Sequence, residues 1–489
     1  MNIPPVQIHE NVTLTMPVKK PGLTRSGHCI ACICLIVVGG CSALPGIPDS
    51  ELAAFGPSVE QVRSLLQQDR VHEALDEALY LARTHPSGLT ETLVGQAMWR
   101  NGQVTEAEAR FRRAAKTDLA EAYVGLATVQ ASAGHWGTAL RLLSDVSGSS
   151  EADAWARPLL ASAAWRSGDL AQTQSHLQAW SRIEADALLA RAAAAMAAAV
   201  ADVEEPPSEW SGEAAVVDLE TTPDGGLVVP VRINGAEGRL LLDLAARQSL
   251  ISPELAEAGG LVVQSGDRGA ARTLRQPEVS TSRHQLHLLQ AACPDLRVGG
   301  ARLRNAIIGV GQAPDGVDGV LAFDLLLTAR WSLRLDGPVL ALGPASASDD
   351  VQQMIGGSIP AAVAWLNARL AHQALAVQVF VYPLVAGERV AMGLDLGMRS
   401  MLDPEHDLGG SAPRGRLQMG GWSGEIEWEI SPLESWAAAG GVAPIATLGH
   451  NLIDDWILHW LPEQEQIRFD HAATNVSSAD AARREGAAR

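Results

Sequence analysis

Two periodicities divide this chain. Between residues 59 and 203 the apolar positions recur at helical spacing, in a stretch rich in Ala, Leu, Gln, Glu and Arg. Glu204-Glu205-Pro206-Pro207 ends that pattern. After it, apolar and polar residues alternate. Leu227-Val228-Val229-Pro230-Val231-Arg232-Ile233 predicts a strand, and Asn234-Gly235 a tight hairpin turn, because both residues tolerate positive φ. Gly238–Asp243 predicts the returning strand, which ends on a carboxylate. Leu250-Ile251-Ser252-Pro253-Glu254 comes next. The same order returns later. Val377–Val381 is strand-like, Ala391–Asp395 delivers a second Asp, and Ser400–Glu405 matches Ser249–Glu254. The late segments Gly319–Leu326 and Ala446–Ile453 also correspond, each followed by a predicted strand pair ending near Leu342 or Phe469.

The helical stretch is itself repetitive. Asp69–Ala74, Asn101–Ala107, Ala133–Ala139 and Ser167–Thr173 share one register, which closes on a small residue at positions 74, 107, 139 and 173. The steps are 33, 32 and 34 residues, and a turn Gly or Asp lets paired helices meet tightly. The period resembles that of tetratricopeptide repeats, about 34 residues. The resemblance implies an α-solenoid of about four helix pairs over residues 59–203, with a final helix through 185–203. Such arms hold a peptide or partner protein in a concave groove. An equally open reading makes the arm a spacer or a docking face for the next domain. The Ala-rich run 192–199 reads as a close-packed helix.

The duplicated strand order resembles the retropepsin-like aspartic peptidase family, present twice in tandem as in the two-lobed pepsin-like arrangement. The resemblance covers residues 214–345 and 360–472, with a linker at 204–213 and a flexible tail at 473–489. It implies an all-β two-lobed domain whose lobes each contribute a catalytic Asp, here Asp243 and Asp395. Two close carboxylates cannot both ionise, so they share a proton; one acts as base toward a water, the other as acid toward the peptide carbonyl. The turns depart from the family's Asp-Thr-Gly: they read Asp243-Leu244-Ala245 and Asp395-Leu396-Gly397. Both hydroxyls of the family's interlocking grip are replaced by leucine, and alignment of the carboxylates is no longer secured by it. A peptidase and a non-cleaving peptide binder are therefore both expected outcomes. The second-lobe flap is expected at Arg416–Ile426, with Gly421 and Trp422 at its tip as substrate contacts; the first-lobe flap falls in 270–289, with Arg272, Arg275, Arg283 and His284.

Composition adds an address and several exclusions. Lys19, Lys20 and Arg25 precede an apolar run, Cys29–Val38, and then Val38-Gly39-Gly40-Cys41. That is the three-part order of a secretory signal over residues 1–40, with Met1 or Met16 as its start. The ending resembles a bacterial lipobox, which implies lipidation of Cys41, a tether over 41–58, and, with Ser42 next to it, an outer-membrane protein facing the periplasm. The formal net charge over 489 residues is −19, which repels phosphate backbones and excludes nucleic acid as a partner. Four of the five cysteines crowd residues 29–41, leaving Cys293 alone in the body, so no internal disulfide framework is expected. No histidine pair has metal-ligand spacing, and no nucleophile elbow or phosphate-binding glycine motif occurs. No cofactor or metal is expected. The sequence thus predicts a lipid-anchored envelope protein whose partners are peptides or proteins. Its function is that of an aspartic endopeptidase, a pseudo-peptidase or an assembly scaffold.

Overall fold

The computed structural model describes residues 58–68, 70–144, 146, 150–184, 187–206, 209–223, 225–266, 287–346, 364–367, 369–385, 388–395, 401–402, 414–419, 422–427, 429–430, 446–449, 456–462, 464 and 466–471. A helical region comes first and a β-rich domain comes after it, both within the compact unit Gly56–Arg489.

The helices pair antiparallel along the chain: α1 (Val59–Gln67) with α2 (Val71–Thr84), α3 (Gly88–Arg100) with α4 (Val104–Ala115), α5 (Ala120–Ser132) with α6 (Trp136–Ser144), and α7 (Ser150–Arg166) with α8 (Leu170–Ile183), before α9 (Ala187–Ala201). The sequence repeat has a structural cause at each step. Ala74, Ala107, Ala139 and Thr173 are all buried, each in the second helix of a pair. Gly102, Gly134 and Gly168 adopt φ of +73°, +74° and +76° in three equivalent turns, a conformation that costs a side-chain-bearing residue. Ser87 caps α3 through a capping box with Thr90. The odd-numbered helices α1, α3, α5 and α7 also touch one another in succession, so they line one face of the arm.

The β-rich domain contains the same crossed unit twice. In the first lobe, strand Ala236–Leu242 runs parallel to Gly319–Leu321, which is antiparallel to Leu250–Ile251, which is parallel to Ala306–Val310. In the second, Met392–Asp395 runs parallel to Ala446–Gly449, which is antiparallel to Met401–Leu402, which is parallel to Glu429–Ile430. The Asn234-Gly235 turn has φ of +49° and +93°, the left-handed pair a two-residue hairpin requires. Ser252 caps the short helix α10 (Pro253–Ala258), and α11 (Phe323–Leu326) comes after the crossing strand of the first lobe.

One six-stranded sheet belongs to both lobes. Its order is Ala364–Asn367, Gln466–His471, Trp456–Leu461, Ala329–Arg334, Val339–Pro344 and Ala215–Asp218. Its central pairing sets Trp331 opposite Trp460 and Ser332 opposite His459. Phe323 packs edge-on to Trp460 at 4.8 Å between ring centroids, and Trp460 Nε1 donates to Leu327 O. The first lobe begins earlier than the alternation suggests: Ser211–Gly212 pairs with Ala301 and Arg302, and buried Trp210 donates Nε1–H to Leu325 O. An indole needs such a partner when buried, and that need draws the end of the linker into the lobe.

Candidate functional site

Asp243 sits one residue beyond Leu242, whose register partner is Leu321, and its own N–H donates to Leu321 O. The chain then turns sharply. Asp243 Oδ1 accepts from Ala245 N (3.0 Å) and Ala246 N (3.1 Å), which fixes the carboxylate relative to its own backbone. The side chain is 3% exposed and Leu244 is fully buried, so the leucine that replaces the family hydroxyl is part of the core. In the second lobe, Leu394 and Asp395 lie opposite Leu448 and Gly449; in the first, Leu242 lies opposite Leu321 and Asp243 directly follows it. In the chain, residues 243 and 395 thus come at, or directly after, the end of the corresponding strand in two copies of one unit.

The remaining sequence candidates are less fully defined. Trp422 opens strand Trp422–Glu427, which pairs antiparallel with Arg414–Met419. Gly421 and Cys41 lie outside the described residues. Most of the first-lobe flap does too, but the strands that bracket it, Val263–Ser265 and Leu289–Cys293, pair antiparallel. Buried Cys293 packs in the lobe core, and burial pushes its thiol up to about 12. Among the described residues no three His, Cys, Asp or Glu side chains are grouped to hold a metal ion, and no helix is long and apolar enough to cross a membrane.

Behind the Asp243 turn lies a polar lock that the sequence did not single out. Ser249 donates N–H and Oγ–H to Asp324, the latter at 2.6 Å to Oδ1, and Leu325 N donates to the same oxygen. Ala322 N in turn donates to Ser249 Oγ. This network ties the segment after Asp243 to the start of α11. Burial pushes the Asp324 carboxyl up to about 6, against the pull of those hydrogen bonds. The only sequence signal was an Asp in the late segment five residues after Gly319. Beside it, Gln248 and Gln290 exchange side-chain hydrogen bonds at 2.7 and 3.2 Å, and burial pushes neighbouring His287 down to about 4.

A second buried constellation spans the lobes. Ser332 Oγ lies 2.6 Å from His459 Nδ1, His459 Nε2 lies 3.2 Å from Asp470 Oδ2, and Arg468 Nε donates to Asp470 Oδ1 at 2.8 Å. These are the residue types of a serine hydrolase, but Ser332, His459 and Asp470 are all buried at the centre of the shared sheet, closed to a substrate. The arrangement satisfies polar groups between the lobes. Burial alone would raise the Asp470 carboxyl; the hydrogen bonds and charges of His459 and Arg468 outweigh it and hold the group below its usual range.

Residues 229–325 match the family described as aspartyl protease. That span holds Asp243, the Ser249–Asp324 lock and all four strands of the first crossed unit, so the chain contains an aspartyl protease-like domain. Among solved structures, the chain is similar to the aspartic proteinase of Irpex lacteus at 10% identity, covering 54% of this chain and 99% of that one with a TM-score of 0.34. It is similar to conglutin gamma, a basic 7S globulin from lupine seeds, at 10% identity, over 53% and 95% of the two chains, with the same TM-score of 0.34. A retropepsin-like aspartic protease from Rickettsia conorii is 17% identical over 28% of this chain and 95% of its own, with a TM-score of 0.20. No curated protein matches the chain.

Proposed function

We propose that this chain is an aspartic endopeptidase of the bacterial envelope, anchored through a lipid on Cys41 at the outer membrane, with Asp243 and Asp395 as its paired carboxylates. The observation that carries this reading is that Asp243 and Asp395 come at, or directly after, the end of the corresponding strand in two copies of one crossed unit. One carboxyl would hold the shared proton and give it to the peptide carbonyl, while the other takes a proton from the attacking water. A formal charge of −19 favours neutral or basic polypeptide substrates and disfavours nucleic acid. The flap hairpin Arg414–Met419/Trp422–Glu427 would close on the substrate through Trp422 and Gly421.

A second reading is supported by the burial of Asp243 and Leu244: a domain that binds polypeptides without cutting them. Cleavage of a mixed peptide library from acidic to neutral pH, beside Asp243→Asn and Asp395→Asn, separates the two. Cutting that vanishes in both variants supports the peptidase; no cutting by any of three equally folded proteins removes it and leaves the binding reading. The anchor is tested by Cys41→Ala, which should move the protein from the membrane fraction to the soluble fraction.

A further inference from the structure

Strand Ala376–Val381 is buried at every position, although its sequence alternates little and includes Gln378. The two faces go to different places. Val377, Val379 and Val381 join the core of the lobes, whereas Ala376 joins a cluster with Ala161, Leu177 and Met196 of the arm, and Phe380 joins the cluster of α1–α5. The first lobe divides in the same way: Ala291 and Cys293 face the lobe core and Ala292 the arm, as do Ile308 and Ile307 respectively. Helices α5 and α7 touch the preceding strand, Arg369–Gln373, and α9 touches Val263–Ser265, Leu289–Cys293 and Ala306–Val310, so the face lined by the odd-numbered helices is the one turned to the lobes.

The tip of the second-lobe hairpin meets the arm. Ala374, between strands Arg369–Gln373 and Ala376–Val381, adopts φ of +55°, a conformation that costs a residue with a Cβ. Its carbonyl accepts from Ser162 Oγ of α7. Two residues earlier, the His372 ring meets Trp136 edge-on at 4.7 Å, and Arg166 lies over the same indole. The hairpin then reaches the candidate site: Val377 N donates to Arg247 O at 2.9 Å, four residues beyond Asp243.

We propose that the inner face of the arm is a receptor for the chain's own residues 369–381, and that Ser162 and Trp136 are positioning residues that act through this hairpin on the turn carrying Asp243. A foreign peptide has no access to this part of the arm while the hairpin fills it, so a protein partner of the arm binds on another surface. The bearing on catalysis rests on the reading of Asp243 given above, but the test does not need cleavage.

The test is hydrogen exchange by mass spectrometry on the full chain and on Ser162→Ala, Trp136→Leu and Leu143→Ala. Leu143 is buried in an arm cluster that contains no residue of either lobe but against which Trp136 packs, so its truncation controls for loosening of the arm in the comparison with Ser162→Ala. Losing one hydrogen bond or ring contact is expected to speed exchange about 5–10-fold at residues 369–381 and at 243–250 in the first two variants. The control should leave 243–250 unchanged. Faster exchange confined to 369–381, no change in either segment, or an equal change at 243–250 in Leu143→Ala would each overturn the proposal.

Discussion

Replacing Asp324 by asparagine isolates one proton-linked contribution to stability. The carboxyl titrates near 3.8 when unfolded and is pushed up to about 6 in the fold. Between those values the folded protein holds a proton that the unfolded chain has lost, so stability falls as pH rises through the window. A gap of about 2 units corresponds to about 3 kcal/mol, at about 1.4 kcal/mol per unit. The side chain is only part-buried by its exposed surface, so solvent screening makes that an upper bound. Other groups oppose it. His287 and His372, pushed down by burial to about 4 and about 3, remain neutral in the fold while the unfolded chain takes up protons, so they destabilise as pH falls below 6.5. Comparison with Asp324→Asn cancels those histidine contributions. The amide keeps one carbonyl oxygen for Ser249 and Leu325 and does not titrate. Urea unfolding of both proteins from pH 4 to 7.5 should show the wild-type advantage shrinking by up to about 3 kcal/mol as pH rises, then levelling above about pH 7. A difference that is flat or grows with pH would refute the reasoning.

Three further substitutions test the packing. A Cβ at Gly125 would lie 2.4 Å from the Phe111 ring; overpacking of about 1–3 kcal/mol should outweigh the roughly 1 kcal/mol gained in helix propensity, so Gly125→Ala should lower the melting temperature. A Cβ at Gly319 would lie 2.1 Å from Leu250 O. Because backbone cannot yield as a side chain can, Gly319→Ala should lose more in urea unfolding than Gly125→Ala. Ser332→Ala strips His459 Nδ1 of its partner at the lobe junction, with an expected loss of about 1–3 kcal/mol by chemical denaturation.

Local chemistry explains what the sequence disclosed. The hairpin from Leu227 to Leu242 came from alternation and an Asn-Gly turn, and the arm from small residues and glycines that recur in, or just before, the second helix of a pair. Asp243 and Asp395 stand out because each ends an apolar run in a repeated order. What escaped depends on distant partners. Gln378 lies between Ala376 and Phe380 in a strand that one neighbour alone would leave half exposed; both flanking side chains pack against the arm. Ser332 meets His459 and Asp470 only because the lobes share a sheet, and no periodicity links Ser332 to a histidine 127 residues away.

The shared sheet also has a consequence during synthesis. Strand Ala329–Arg334 finds its outer partner, Trp456–Leu461, only after roughly 120 further residues have been added. At ribosomal rates of about 5–20 residues per second, that strand edge waits about 6–25 s for its mate. Until then a nascent first lobe displays a row of unpaired backbone donors and acceptors, a template for another strand. A chain cut short before residue 456 keeps that edge permanently open, and it should self-associate even where its own lobe has folded.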